Sequence, residues 1–99
     1  MTDKITESAR GEECQIRYPG ICNRNRETTI WAHSNALGAG RGIAYKSLSL
    51  CGSYACSACH DCYDGRIPRP KHWTADDVRL MFYQGHERSL VVLASKGLI

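Results

Sequence analysis

Two cysteine pairs, Cys14 with Cys22 and Cys56 with Cys59, constrain this chain more than any other feature. A chain of 99 residues buries a small core and commonly depends on a staple such as a disulfide or a metal. Residues 1–13 contain no apolar stretch of the kind a secretory signal needs. A reducing cytoplasm is therefore the expected compartment, and metal ligation is favoured over disulfides. The second pair has the tight Cys-x-x-Cys spacing that grips one ion, and four thiolates complete the tetrahedral set of a closed structural zinc site. The first pair is looser, with seven intervening residues. Buried free thiols are the alternative for these positions. Cys51 and Cys62 are left over as core or surface thiols, with Cys62 the better substitute ligand if the register differs.

Local patterning places these cysteines on a small α+β framework. Residues 3–12 predict a short polar helix, and Pro19-Gly20 supplies a turn able to bring Cys14 and Cys22 to one ion. Residues 28–33 are rich in β-branched and aromatic side chains and predict a strand ending at His33. Residues 34–46, with Gly38, Gly40 and Gly42, read as a loop. No Gly-Lys-Ser/Thr follows, so neither a P-loop nor a dinucleotide fingerprint is supported. Residues 47–54 predict a second strand. Residues 58–64 predict a helix stopped by Gly65, with Pro68 and Pro70 beyond.

The C-terminal third reads as scaffold. Thr74 and Asp77 form a capping box, and Trp73 and Val78 a hydrophobic staple, which predicts a helix over residues 75–84. Val78, Met81 and Phe82 give it an apolar stripe, and Gly85 is placed to end it. Residues 86–96 predict a further helix, with a strand over residues 90–93 as the alternative. The longest apolar run, residues 90–94, is far short of the ~20 residues that span a bilayer, so a soluble protein is expected. Residues 1–99 form one domain, a strand pair packed on a helix with C-terminal helices.

Cys56, Cys59, His60, Asp61 and Asp64 fall within nine residues. His60 and Asp64, four apart, project from one helical face and suit two ligands of one divalent cation. Such a pair leaves coordination positions open for water and a phosphate oxygen. Asp61 is placed to orient His60 or to substitute as a ligand. His33, at a strand end, has the side chain whose pKa best suits taking a proton from water near neutral pH. Cys-x-x-Cys-His is also the attachment signature of c-type haem. That reading leaves Cys14 and Cys22 without a role and puts Met81, the better axial candidate, inside an apolar stripe, so it is disfavoured. A net charge of +3 helps phosphate binding without requiring it. Arg41, Lys46, Arg66, Arg69 and Lys71 flank the proposed site and are the candidate backbone contacts to DNA.

The order of a cysteine pair, a strand ending in His33, a glycine-containing loop, a second strand and Cys56-x-x-Cys59-His60 resembles the HNH (ββα-metal) endonucleases. More closely, ARGEECQIRYPGICN (residues 9–23), TTIWAH (28–33) and ACSACHDCYD (55–64) are similar to the YbcO family of nucleases carried by lambdoid phages and prophages. The likeness runs from about residue 9 to residue 99. It implies a zinc-stapled ββα-metal core, HNH- or treble-clef-like, in a protein acting on DNA in the bacterial host cytoplasm. His33 would be the general base. His60 and Asp64 would hold a catalytic Mg²⁺, Mn²⁺ or other divalent cation, and the products would carry a 5′ phosphate. Two positions depart from the wider HNH pattern. Ala32 stands where a metal-binding Asp or His often precedes the base, and Asp64 stands where many members have His or Asn. The alternative function is a zinc-stabilised module that binds nucleic acid or protein without cutting.

Overall fold

The computed structural model describes residues 4–34 and 50–99. The elements, in chain order, are helix α1 (Lys4–Ser8), a 3-10 turn (Arg26–Thr28), strand β1 (Ile30–His33), strand β2 (Gly52–Ala55), helix α2 (Ser57–Tyr63) and helix α3 (Ala75–Ser95). Arg41 and Lys46 lie outside the described residues, as do the glycines of the 34–46 segment.

The strands pair antiparallel, with Ile30 opposite Ala55, Trp31 opposite Tyr54, Ala32 opposite Ser53 and His33 opposite Gly52. An isolated two-stranded ribbon is marginal in water, so its stability comes from what covers it. One apolar cluster gathers Ala32 and Ala55 with Cys59, Cys62 and Tyr63 of α2, Val78 and Phe82 of α3, and Ile16 and Tyr18 from the first cysteine loop. Tyr63 and Phe82 stack there with ring centroids 3.9 Å apart. The fully buried Tyr18 donates its hydroxyl to the Val78 carbonyl at 3.0 Å, and burial raises its pKa. A second cluster joins Trp31 and Tyr54, edge to face at 5.2 Å, with Ala9 and Leu93. Strand alternation separates the two sets, since Trp31 and its partner Tyr54 leave one face and Ala32 the other.

The capping box forms as its residues predict, with Asp77 N–H donating to Thr74 Oγ1 and Thr74 N–H to Asp77 Oδ2. Trp73 and Val78 share the first cluster. The helix does not stop at Gly85, however. It runs unbroken for 21 residues, so neither two separate helices nor a strand over 90–93 is present. Gly85 is instead a point of close approach: a Cβ there would lie 2.9 Å from the Gln15 carbonyl oxygen and from Ile16 Cα. The helix ends at Lys96, followed by Gly97 at φ +74°. On the same side of α3, Arg88 donates from Nε to the Gln15 carbonyl at 2.9 Å, and Ser89 Oγ accepts from Tyr54 N–H at 3.1 Å. Helix α3 thus clamps the Cys14 loop onto β2. Gly85→Ala should destabilise the fold by about 1–3 kcal/mol, because the added methyl meets backbone that cannot rotate away. Urea denaturation checks this, and a gain of about 1 kcal/mol from helix propensity alone would mean the approach is looser than described.

Candidate metal centre and its neighbourhood

Three local structures deliver the four cysteines. Cys14 and Cys22 flank the loop whose turn is closed by Ile21 and Cys22 N–H groups donating to the Tyr18 carbonyl, with Gly20 at φ +74°. Cys56 ends the strand pair and caps α2, its Sγ accepting from Cys59 N–H at 3.4 Å. Cys59 sits in the first turn of α2. The four sulfurs lie within 4.8 Å of one another, and Cys22 and Cys56 Sγ are 3.9 Å apart. Tetrahedral thiolates at ~2.3 Å from zinc would be separated by ~3.8 Å, so the cluster has the dimensions to hold such an ion.

Backbone amides support the same conclusion. Cys14 Sγ accepts from the N–H groups of Arg17, Cys56 and Ile16, Cys22 Sγ from that of Arg24, and Cys59 Sγ from that of Tyr18. Such donors stabilise thiolates and aim their lone pairs inward. Cys14, hydrogen-bonded by the Cys59 thiol, is pushed down to about 5, and Cys59 is pushed up by the same contact and by burial. Burial takes Cys22 up to about 11. Cys62 is absent from this cluster. It packs in the core, where burial raises its pKa.

A second polar cluster forms at the far end of α2. His60 Nε2 and Asp64 Oδ2 are 3.0 Å apart, across one turn as the spacing predicts. Asp61 does not orient His60. It binds Arg66, whose Nε donates to Asp61 Oδ1 at 2.7 Å and whose Nη1 reaches Asp64 Oδ2 at 3.1 Å. Arg66 Nη2 also lies 3.2 Å from His60 Nδ1. A guanidinium can only donate, so Nδ1 is the acceptor there and the His60 proton sits on Nε2, facing Asp64. The hydrogen bond to Asp61, with Asp64 beside it, raises the Arg66 pKa further. This ring of bonds follows from Gly65, at φ +80°, which turns the chain back at the helix end so that Arg66 N–H bonds the Asp61 carbonyl.

His33 is exposed at the end of β1, opposite Gly52. It is Ala32, not His33, that packs with the buried side of α2. Among the described residues no hydrogen bond or ion pair joins His33 to the His60–Asp64 cluster. Gly52 allows β1 to come close, since a Cβ there would lie 2.6 Å from the Ala32 carbonyl oxygen. Its own carbonyl accepts from His86 Nδ1 at 2.6 Å, a brace that no local sequence signal announces. Arg69 donates to the Trp73 carbonyl at 2.9 Å, and Lys71 is exposed. Among the described residues no helix is long and apolar enough to cross a membrane.

Fold and site together define a small α+β domain whose two cysteine pairs converge on one cluster able to hold a metal ion such as zinc. Residues 3–98 match the family described as "Putative nuclease YbcO", and the chain belongs to that family. It is 38% identical over 96 residues to "Putative nuclease YbcO" of Escherichia coli strain K-12, covering 96% of this chain and 95% of that protein. The same figures hold for the similarly named protein of Enterobacteria phage 82. A solved structure, described as that of a putative bacteriophage protein from Escherichia coli, superposes with a TM-score of 0.71 at 35% identity. The match covers 93% of this chain and 98% of that one.

Proposed function

We propose that this protein is a metal-dependent endonuclease of the HNH type that hydrolyses phosphodiester bonds in DNA. In this reading Cys14, Cys22, Cys56 and Cys59 hold a structural zinc ion, and His60 and Asp64 hold a catalytic divalent cation. The observation that carries it is the 3.0 Å separation of His60 Nε2 and Asp64 Oδ2 beside a cysteine cluster, in a chain whose relatives are described as nucleases. Adjacent ligands of an octahedral cation at ~2.1 Å are separated by ~3.0 Å, so the pair fits one edge of such a sphere. A cation held by His60 and Asp64 would neutralise charge developing on the phosphate and on the leaving 3′ oxygen. His33 takes the proton from the attacking water, a role for which its exposure at the end of β1 suits it. Lys71 and Arg69 contact the backbone, with Arg41 and Lys46 assigned to the same role from sequence.

Arg66 has two positions in this scheme. If His60 held a cation through Nε2, its ring proton would sit on Nδ1, facing the Arg66 guanidinium, and two donors cannot share that contact. A cation held there would displace the Arg66 guanidinium from His60 while its bond to Asp61 remains, and from that tether it would meet a phosphate. Arg66→Gln is expected to tighten Mn²⁺ binding several-fold, read by titration calorimetry on zinc-loaded protein, while weakening DNA binding. Unchanged Mn²⁺ affinity would mean that Arg66 does not compete for the site.

One observation favours a second reading, a zinc-stabilised binding module without hydrolysis. Ala32 is buried against α2 at 1% exposure where a further ligand would stand, which leaves the cation two protein ligands. Nicking of supercoiled plasmid decides between them. The nuclease reading expects cleavage by zinc-loaded protein that requires added Mg²⁺ or Mn²⁺ and is lost in His60→Ala with zinc retained. Tight DNA binding without cleavage of plasmid, single-stranded or branched substrates would establish the binding module instead.

A further inference from the structure

A cavity of about 390 Å³ opens on the outer side of the cysteine cluster, with Cys14 and Cys22 in its wall and Arg17, Arg24, Arg26 and Glu13 around it. Three arginines and one glutamate line it, and the Glu13 carboxylate is 4.0 Å from Arg26. Arg26 Nε is tied to the Gly11 carbonyl at 2.9 Å. Arg17 is held at the rim by bonds to the Cys14 carbonyl and Gln15 Oε1, each 3.2 Å. Arg24 is exposed, and its side chain has no hydrogen-bond or ion-pair partner among the described residues.

The backbone makes these arginines more than a surface charge. Among the described residues only Arg17 and Arg24 combine a side chain with positive φ, at 57° and 55°. Both conformations serve the cysteine loops, because they turn the Arg17 and Arg24 N–H groups onto Cys14 and Cys22 Sγ. Glycine would do this without strain, and among the described residues glycine holds the other left-handed positions, 11, 20, 65 and 97. A non-glycine residue there carries a conformational cost, and strain of this kind concentrates where a side chain serves function. That the costly residue is arginine both times, on the rim of one cavity, points to an anionic ligand.

We propose that Arg17 and Arg24, with Arg26 beside them, form a phosphate-binding site for a nucleic-acid backbone, separate from the His60–Asp64 cluster. The choice of nucleic acid as ligand rests on the nuclease reading; the anion site itself rests on the arginines. Guanidinium forks match phosphate oxygens in pairs. The position suits a second anchor on one strand. Cys22 Sγ lies 3.9 Å from that of Cys56, the cap of α2, and His60, Asp64 and Arg66 lie at the other end of that helix. The rise from Cys56 to Asp64 is roughly 12 Å. That is about three to four steps of a duplex at ~3.4 Å each, so a duplex lying along α2 from His60 would pass the Cys56 end of the helix, where the Cys22 loop meets it.

The test is fluorescence anisotropy of a labelled 30-bp duplex with zinc-loaded protein and no added divalent cation, across a salt series. Arg24→Gly and Arg17→Gly/Arg24→Gly should bind several-fold to tens-fold more weakly. The slope of log affinity against log salt should fall by about 0.9 for each phosphate no longer neutralised. Thermal melting of Arg24→Gly should be unchanged or higher, which separates removal of a ligand-binding group from damage to the cysteine loops. Arg24→Asn, which also tolerates the left-handed conformation, carries the test if a glycine variant fails to fold. Affinity and salt slope equal to the parent's would overturn the proposal, as would tighter binding of poly-glutamate than of duplex. Plasmid nicking keeps the two readings apart. Arginine-dependent binding by a protein that never cuts leaves this site standing without the nuclease, and cutting with arginine-independent binding does the reverse.

Discussion

His33→Ala is expected to lower the rate of plasmid nicking by about 10²–10⁴-fold, the usual contribution of a positioned general base. Folding should be nearly untouched. His33 is exposed at the end of β1, and the residue opposite it, Gly52, offers no side chain to pack against. Melting temperature, zinc content and duplex affinity should therefore match the parent's within error while cleavage is lost. That pattern separates a chemical role from a structural one. Cleavage by His33→Ala at the parental rate under the same cation would remove His33 from the mechanism and direct attention to His60 as the proton acceptor.

Cys59→Ser is expected to abolish cooperative folding together with zinc binding. Cys59 is fully buried, its sulfur belongs to the four-cysteine cluster, and the surrounding apolar residues are the core itself. Structural zinc sites are worth about 10–16 kcal/mol in apparent binding free energy. Whole small domains are stable by only about 5–15 kcal/mol, so the loss of one ligand outweighs anything the rest of this core supplies. Circular dichroism melts with measured zinc stoichiometry provide the check, and a cooperative melt at the parental temperature in metal-free Cys59→Ser would show that the cluster is not the staple. The proton balance has a definite sign. Burial pushes the Cys22 thiol up to about 11, so metal uptake near neutral pH must expel a proton from it. Affinity should accordingly rise with pH and fall on acidification.

Much of the architecture is legible in local chemistry. The Thr74–Asp77 box and the Cys-x-x-Cys turn into α2 are each set by interactions within a few residues and appear where those residues place them, while the β-branched run ends at His33 as expected but starts only at Ile30, Thr28 closing a 3-10 turn instead. The i, i+4 meeting of His60 and Asp64 has the same origin. Gly85 shows where local reading fails. Its lack of a side chain argues for a helix end, yet the helix continues, and the glycine instead makes room for the backbone of Gln15 and Ile16, far earlier in the chain, in the space a Cβ would need. Asp61 and Arg66 give the same lesson on a smaller scale. Carboxylate spacing suggests a partner that orients His60, and the turn at Gly65 instead brings a guanidinium to Asp61.

The sequence by itself therefore determined which cysteines stand in pairs, the order of elements as far as α2 and the start of α3, and the pairing of residues one helical turn apart, because these depend on spacing and short-range hydrogen bonding. Tertiary structure alone decided three further things. It closed the loose Cys14–Cys22 loop onto Cys56 and Cys59, kept α3 continuous across the Cys14 loop, and gathered Arg17, Arg24 and Arg26 around one cavity. The first two require segments far apart in the chain to meet, and the third follows from how the cysteine loops close. The free energy that brings them together comes from burying apolar surface and from any ion the four thiols hold at their common centre, terms that no short window of sequence contains.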